Sequence, residues 1–262
     1  QIYIQPQAGD GGGCIGAAFY AYNAILKKER IYIQKDIYLG PRFSNDEVKK
    51  FLDDNTINYK EFSNESELIE STSKLIYENN VVGWFQGRME WGPRALGARS
   101  ILSNSTNPQM QEILNVKVKH REPFRPFAPA VCEEDAQKYF DCDNPVPLPT
   151  DFMLMVYPVR EEKQKLIPAI THVDGSGRLQ TIRKEQNPRY YSLIKKFGEL
   201  SGVPILINTS YNIRGEPIVL SPHDAYRCMM GTGIDYLVME NCVIKRSDNP
   251  KDMWDSESIA KD

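Results

Sequence analysis

Residues 83–131 read GWFQGRMEWGPRALGARSILSNSTNPQMQEILNVKVKHREPFRPFAPAV, and this stretch decides the fold class. The lead-in at 81–85 is short, wholly apolar and closed by a glycine-containing turn, which predicts a buried strand. That turn carries Arg88, Glu90, Arg94 and Arg99. After a polar stretch, Asn107 and Pro108 set up a predicted helix with Met110, Ile113 and Leu114 on its apolar side. Lys117, Lys119, Arg121 and Arg125 come at its end and in the loop beyond, before residues 126–131 return the chain to the core. Between 81 and 130, seven Lys or Arg face three Asp or Glu, inside a protein of net charge −3. Positive charge is therefore gathered at a strand end, where an anionic ligand can use it. Arginine is the informative choice, because its planar fork of donors matches phosphate or carboxylate oxygens two at a time.

Downstream, strand patterns are predicted at 152–157, 167–173 and 178–183, with Asp174, Gly175, Ser176 and Gly177 as the turn between the last two. His172 and Arg183 flank that hairpin. Residues 187–201 form a predicted helix with Tyr190, Leu193, Ile194, Phe197 and Leu200 on its apolar side. A strand at 203–207 then runs into Asn208, Thr209 and Ser210, followed by Asn212 and Glu216. Small polar residues at the carboxyl end of a strand are well placed to orient a ligand, which makes Asn208, Thr209, Asn212 and Glu216 candidates. Ser221, Pro222 and Asp224 open another helix by capping, and His223 beside Asp224 is no catalytic dyad, since adjacent helical positions face different directions. Two strands at 236–239 and 242–245 complete the pattern. Residues 132–150 are acidic and Pro-rich and read as a short helix followed by an exposed loop. The tail beyond Arg246 carries five acidic and two basic residues and reads as a mobile or surface segment.

Upstream, Ile2, Tyr3 and Ile4 give a short strand signal. Gly9, Asp10, Gly11, Gly12 and Gly13 then precede a predicted helix through Ile15, Tyr22, Ile25 and Leu26. A glycine-rich loop opening a helix can cradle phosphate, and it can equally be a tight turn. Two amphipathic packing helices follow, the first capped by Ser44 or Asn45 and the second by Asn64 or Ser66.

Composition bounds the function. A chain of 262 residues can bury a full α/β core. Five cysteines, odd in number and without a CxxC pair, fit a reducing cytoplasm better than a disulfide scaffold. No run of 18 apolar residues and no signal-peptide pattern is present, so a membrane partner is not expected. The acidic balance lacks a lysine-rich strip with interleaved aromatics, which argues against nucleic acid as a main partner. Starting at Gln1 inside a strand signal, the chain reads as an excised fragment.

The runs GRMEWGPRALGARSIL, NVKVKHREPFRPFAP and NTSYNIRGEPIVLSPHDA closely resemble the C-terminal domain of the carbamoyltransferase family that includes the nodulation-factor, cephamycin and tobramycin enzymes. The resemblance spans about 8–246. It implies an α/β fold with a YrdC-like twisted mixed sheet and flanking helices over 31–246, with 1–30 as the end of an actin-like ATPase-type carbamoyl-transfer domain and 247–262 as an acidic tail. It further implies formation of carbamoyladenylate from carbamoyl phosphate and ATP with Mg2+, for delivery by that other domain to a small-molecule hydroxyl acceptor. Lys119, Arg94 and Arg125 match positions the family uses for phosphate and are the expected catalytic residues. Arg88, Arg99, Arg121, His172, Arg183, Asn208, Thr209, Asn212 and Glu216 are the expected substrate- and nucleotide-binding set. In PQAGDGGGCIGAA, Asp10 matches a family position for a divalent transition metal, whose histidine partners belong to the other domain. A homodimer is compatible with this reading. The alternatives left open are a non-catalytic nucleotide-binding or interaction domain and a YrdC-like RNA-modification factor.

Overall fold

Along the central strands, alternate residues turn to opposite faces and both faces are apolar, so the sheet they build must be covered on both sides. The computed structural model describes residues 4–250. In chain order the elements are α1 (Asp10–Phe19), continued by a π-helical stretch Tyr20–Ile25, α2 (Asn45–Asp54), β1 (Lys60–Glu61), α3 (Glu65–Tyr77), β2 (Val82–Phe85), β3 (Arg99–Asn104), α4 (Met110–Lys117), β4 (Ala128–Cys132), α5 (Ala136–Tyr139), β5 (Tyr157–Pro158), α6 (Glu161–Gln164), β6 (Ser176–Gly177), β7 (Gln180–Ile182), α7 (Pro188–Ser201), β8 (Ile205–Ser210), α8 (Pro222–Met230), β9 (Tyr236–Met239) and β10 (Cys242–Lys245). The main sheet has eight strands in the order β1-β10-β9-β2-β3-β8-β4-β7. It is mixed: β2 runs parallel to β9 and β4 to β7, while the other neighbours are antiparallel.

The pleat sorts side chains into two cores. Val48 and Leu52 of α2, Leu114 of α4 and Ala225 of α8 pack with Phe85, Ile101, Ile207 and Leu237 on one face. Leu68, Ile69 and Ile76 of α3 and Tyr190, Leu193 and Phe197 of α7 pack with Val82, Trp84, Leu102, Leu206 and Val238 on the other. Burying each such side chain contributes roughly 1.5–3 kcal/mol. Local signals agree with this packing. Ser44 and Glu47 form a capping box on α2, Asn64 accepts the Ser66 amide at α3, and Ser221 and Asp224 form a second capping box at α8.

Several expectations change. Gly11, Gly12 and Gly13 lie inside α1, whose N-cap is Gly9, so they form no loop ahead of it. Gly12 is required by contact: a Cβ there would stand 2.0 Å from the Gln7 carbonyl oxygen and from Gln5 Nε2. Leu200, placed on the apolar side of α7, is 40% exposed, while the other four named residues are buried. The 167–173 segment is a 3-10 turn at Pro168–Ile170 rather than a strand, and Leu148–Phe152 is likewise a 3-10 helix that starts from prolines and ends at a left-handed Met153. Proline has no N–H to give a ladder, which is why these apolar stretches fold as turns. The strand pattern at 152–157 survives only as β5, which pairs with β6, and that at 178–183 as β7. Within 132–150, Phe140, Val146 and Thr150 are buried rather than exposed. Past Arg246, Asn249 is pinned by hydrogen bonds with Asn58 and Lys245. The strand signal of Ile2 and Tyr3 and the tail 251–262 lie outside the described residues. Among these, no helix is long and apolar enough to cross a membrane.

Candidate functional site

After α4 the chain folds back over the helix's last turn, the amides of Lys119 and Arg121 donating to Leu114 O at 2.9 Å and Asn115 O at 3.0 Å. Buried Asn115 fixes that turn. Its Nδ2 donates to Pro123 O at 3.0 Å and Arg125 O at 2.9 Å, and its Oδ1 accepts from Arg121 Nε at 2.7 Å. The turn drives Lys119 inward until it is 4% exposed. There its Nζ donates to the Ser210 carbonyl, to Asn212 O at 3.0 Å, to Asn212 Oδ1 at 2.9 Å and to the Ser210 hydroxyl at 3.3 Å. Burial pulls the Lys119 ammonium down to about 7, and Arg121 adds to the push. The end of β8 thus grips a lysine that titrates near neutrality.

Around it stand further cations. Arg121 lies 4.8 Å over the Phe127 ring, and burial followed by the Arg125 charge lowers its proton affinity. Arg125 is half exposed and 3.4 Å from Glu122. Arg94 is exposed at the tip of the loop between β2 and β3. Arg178, just after β6, ties the group together: burial, then Arg94, then Arg121 lower its proton affinity, and its Nε is buried with no hydrogen-bond partner among the described residues. His172 is also within reach, its proton affinity lowered by burial, raised by Asp174 and lowered by Arg178. The acids felt most strongly here are Glu122 and Asp174, and Asp174 accepts from the Ser176 hydroxyl at 2.7 Å. The cations outnumber the carboxylates, and a buried guanidinium N–H without a partner is a costly arrangement that an anion would relieve.

Residues 73–246 match the family model described as the carbamoyltransferase C-terminus. This chain belongs to the carbamoyltransferase family. It is 46% identical to an uncharacterised Synechocystis protein, sll1178, over 95% of this chain and 44% of that protein. It is 36% identical to the nodulation protein NolO of Bradyrhizobium diazoefficiens over 99% of this chain and 47% of that one. The chain therefore spans less than half the length of these curated relatives. A solved structure of full-length HypF in its phosphate- and nucleotide-bound form covers 67% of this chain and 25% of its own at 19% identity and a TM-score of 0.49, too slight a likeness to bear on the site.

Within this carbamoyltransferase-family chain, Lys119, Arg94, Arg121, Arg125, His172 and Asn212 come together. Asn208 lies beneath them, buried, its Nδ2 donating to Ala95 O at 3.1 Å and Gln180 Oε1 at 2.6 Å. Asn208, Thr209 and Ser210 are part of β8 itself, so the pleat turns Thr209 to the opposite face. Four of the named residues stand elsewhere. Arg99 is fully buried 3.6 Å from the Phe85 ring, and its two Nη groups donate to carbonyls of Gln86, Gly87, Ala98 and Pro41, while its buried Nε has no partner among the described residues. Arg183 bridges Glu133 at 2.5 Å and Asp151 at 2.9 Å. Glu216 pairs with Arg227 of α8 at 2.9 Å. Arg88 donates to Gly40 O at 3.0 Å and lines a separate cleft of about 470 Å3 with Arg42, Arg189 and Glu240.

Sequence reasoning passed over Arg178 and Ser210. Arg178 follows the DGSG turn at 174–177 directly, so its signal was a cation one step beyond a tight turn. Ser210 carried none, because its role depends on the lysine that reaches it from 91 residues away.

One group among the described residues brings metal-type donors close: Cys132, Glu134 and Asp135 lie within 4.8 Å of one another. Lys195 already stands among them, 2.7 Å from Glu134 and 2.6 Å from Asp135, and burial pushes the Cys132 thiol up to about 12. A metal would need the thiolate, and here the ammonium supplies the positive charge. Asp10 is the first residue of α1, and the expectation of a metal on its side chain lies outside the described residues.

Proposed function

We propose that this chain is the carbamoyladenylate-forming part of an O-carbamoyltransferase, binding carbamoyl phosphate and ATP on the cations gathered around Lys119. The observation that carries the reading is Arg178, a half-buried guanidinium whose buried Nε has no hydrogen-bond partner among the described residues, placed among Arg94, Arg121 and Lys119. Phosphates would meet that excess of positive charge with oxygens that accept two donors at once. The chemistry balances with one water. Water cleaves carbamoyl phosphate to carbamate and inorganic phosphate, and a carbamate oxygen then attacks the α-phosphorus of ATP, expelling pyrophosphate. Charge grows on the departing group in both steps, where a preorganised ammonium and guanidinium fork lower the barrier. Glu122 and Asp174 are already turned to Arg125 and Ser176, so this reading has Mg2+ arrive with the nucleotide phosphates.

In the same reading, residues 31–246 form a YrdC-like domain, and 1–30 belong to the end of the domain that hands the carbamoyl group to a small-molecule hydroxyl. The chain alone then makes the intermediate without completing the transfer. Calorimetry with ATP and carbamoyl phosphate, separately and together, tests the ligand class without any acceptor. Binding of both is expected, and affinity for neither would remove the reading.

A further inference from the structure

Arg94 stands on a loop with no regular structure of its own, yet the arm below it is pinned on every side. Glu90, 4% exposed, turns Oε1 toward the backbone of that arm and accepts the amides of Leu96 at 2.6 Å, Ala98 at 2.7 Å and Arg99 at 3.3 Å. The intervening Gly97 amide donates to Ser100 Oγ at 2.9 Å. On the carbonyl side, Ala95 O accepts from Asn208, Leu96 O from Tyr38 and Gln180, and Gly97 O from Trp84 and Asn187. Gly97 has φ +103°, and a Cβ there would stand 2.2 Å from the Tyr190 ring, so the arm has no room to shift toward α7.

The second oxygen of Glu90, Oε2, is buried with no partner among the described residues. A carboxylate kept in that position gives up hydration and is compensated by the amides it gathers and, more weakly, by the Arg99 charge. Its effect falls on the residues between Glu90 and those amides, and Pro93 and Arg94 are the exposed part of that span.

We propose that Glu90 is a positioning residue, clamping the 95–99 backbone so that Arg94 is held against Arg178 over the anion site. This rests on the reading that Arg94 contacts the anionic ligand. Glu90 itself touches no ligand: it gives a loop without regular structure a fixed presentation of one guanidinium. Holding a contact group in place is worth a large factor, since a displacement of about 1 Å can cost ~10²-fold.

The test is calorimetry with carbamoyl phosphate on the full chain for Glu90→Asp, Glu90→Gln, Arg94→Ala and the Glu90→Asp/Arg94→Ala double variant, with melting of each. Glu90→Asp draws the acceptor back by one methylene while keeping the charge, and should weaken binding by about tenfold. Glu90→Gln keeps an acceptor oxygen for the amides and should stay within about twofold of the parent. The double variant should bind no more weakly than Arg94→Ala alone, because Glu90 has nothing left to position. Exchange of the Leu96 and Ala98 amides should quicken in Glu90→Asp and not in Glu90→Gln. Losses that multiply in the double variant, or Glu90→Gln as damaging as Glu90→Asp, overturn the positioning role. Unchanged affinity in Arg94→Ala instead removes the ligand contact on which the proposal rests, and identifies that reading as the one at fault. Should Glu90→Asp not fold, amide exchange and binding in Glu90→Gln still decide: quickened exchange or a tenfold loss there overturns the proposal.

Discussion

Two groups of cations in this protein differ in what answers them. Around Arg183 and Lys195, carboxylates match the positive charges: Arg183 lies between Glu133 and Asp151, and Lys195 between Glu134 and Asp135. Around Lys119, a lysine, four arginines and a histidine share mainly Glu122 and Asp174. The first arrangement is closed and can only hold the fold. The second is open, its most buried members satisfied by carbonyl oxygens or, at Arg178 Nε, by nothing among the described residues. Residue type does not separate the two, because arginine and lysine occur in both; the local surplus of charge does.

The comparison breaks most visibly at Lys119. Lys119→Ala should lower phosphate release and carbamoyladenylate formation at saturating ATP by about 10²–10³-fold, the usual cost of losing a group that follows charge onto a leaving group. Lys119→Arg should recover little, since a planar fork cannot enter the compact pocket formed by Ser210 and Asn212. Near-normal rates in both variants would place Lys119 outside the site.

Arg94→Ala, Arg125→Ala and Arg178→Ala should each weaken carbamoyl phosphate or ATP binding by roughly 10- to 150-fold, with melting nearly unchanged, as for loss of a charged hydrogen bond. Arg183→Ala should do the reverse. It leaves Asp151, 4% exposed, without its guanidinium and should cost about 2 kcal/mol of stability, less than for a fully buried pair because Arg183 is partly exposed, while ligand affinity stays the same. A variant pair in which both sites lose both properties would erase the distinction.

A smaller effect sharpens the contrast through pH. The folded Lys119 releases its proton near 7, whereas the unfolded chain keeps it to about 10.5, so between these values the unfolded state binds more protons. Stability contributed by this residue should therefore rise with pH across that window, while anion affinity falls as the charge is lost. Comparing parent and Lys119→Met at pH 6 and 9, by melting and by calorimetry, checks both signs at once. The smallest effect expected is salt: raising ionic strength should weaken ligand binding at the exposed Arg94 and Arg125 and leave the paired Arg183 network little changed.

Much of this was legible in the chain. The apolar run at 81–85, the capping residues Ser44, Asn64 and Ser221, and the helical spacing over 187–201 report their own structure, because the interactions that decide them reach only a few residues along the chain. The concentration of positive charge between 88 and 125 was likewise local, and so was the resemblance carried by its motifs. The stretch at 167–173 misled because apolar content predicted a strand where Pro168, with no N–H to give a ladder, opens a 3-10 turn.

What the sequence could not separate was Arg94 from Arg99, or Lys119 from the lysines beside it. Five residues apart, Arg94 on the loop is exposed beside Arg178 while Arg99 at the start of β3 is stacked on Phe85 with both Nη groups donating to carbonyls, a difference set by where Glu90 and β3 place each backbone. Lys119 becomes special only where the end of β8, 91 residues further on, meets it. Strand, cap and charge density were written in neighbouring residues; which cations are answered and which are left open was decided by packing between segments distant in the chain, since burial and charge balance are properties of the space around a side chain.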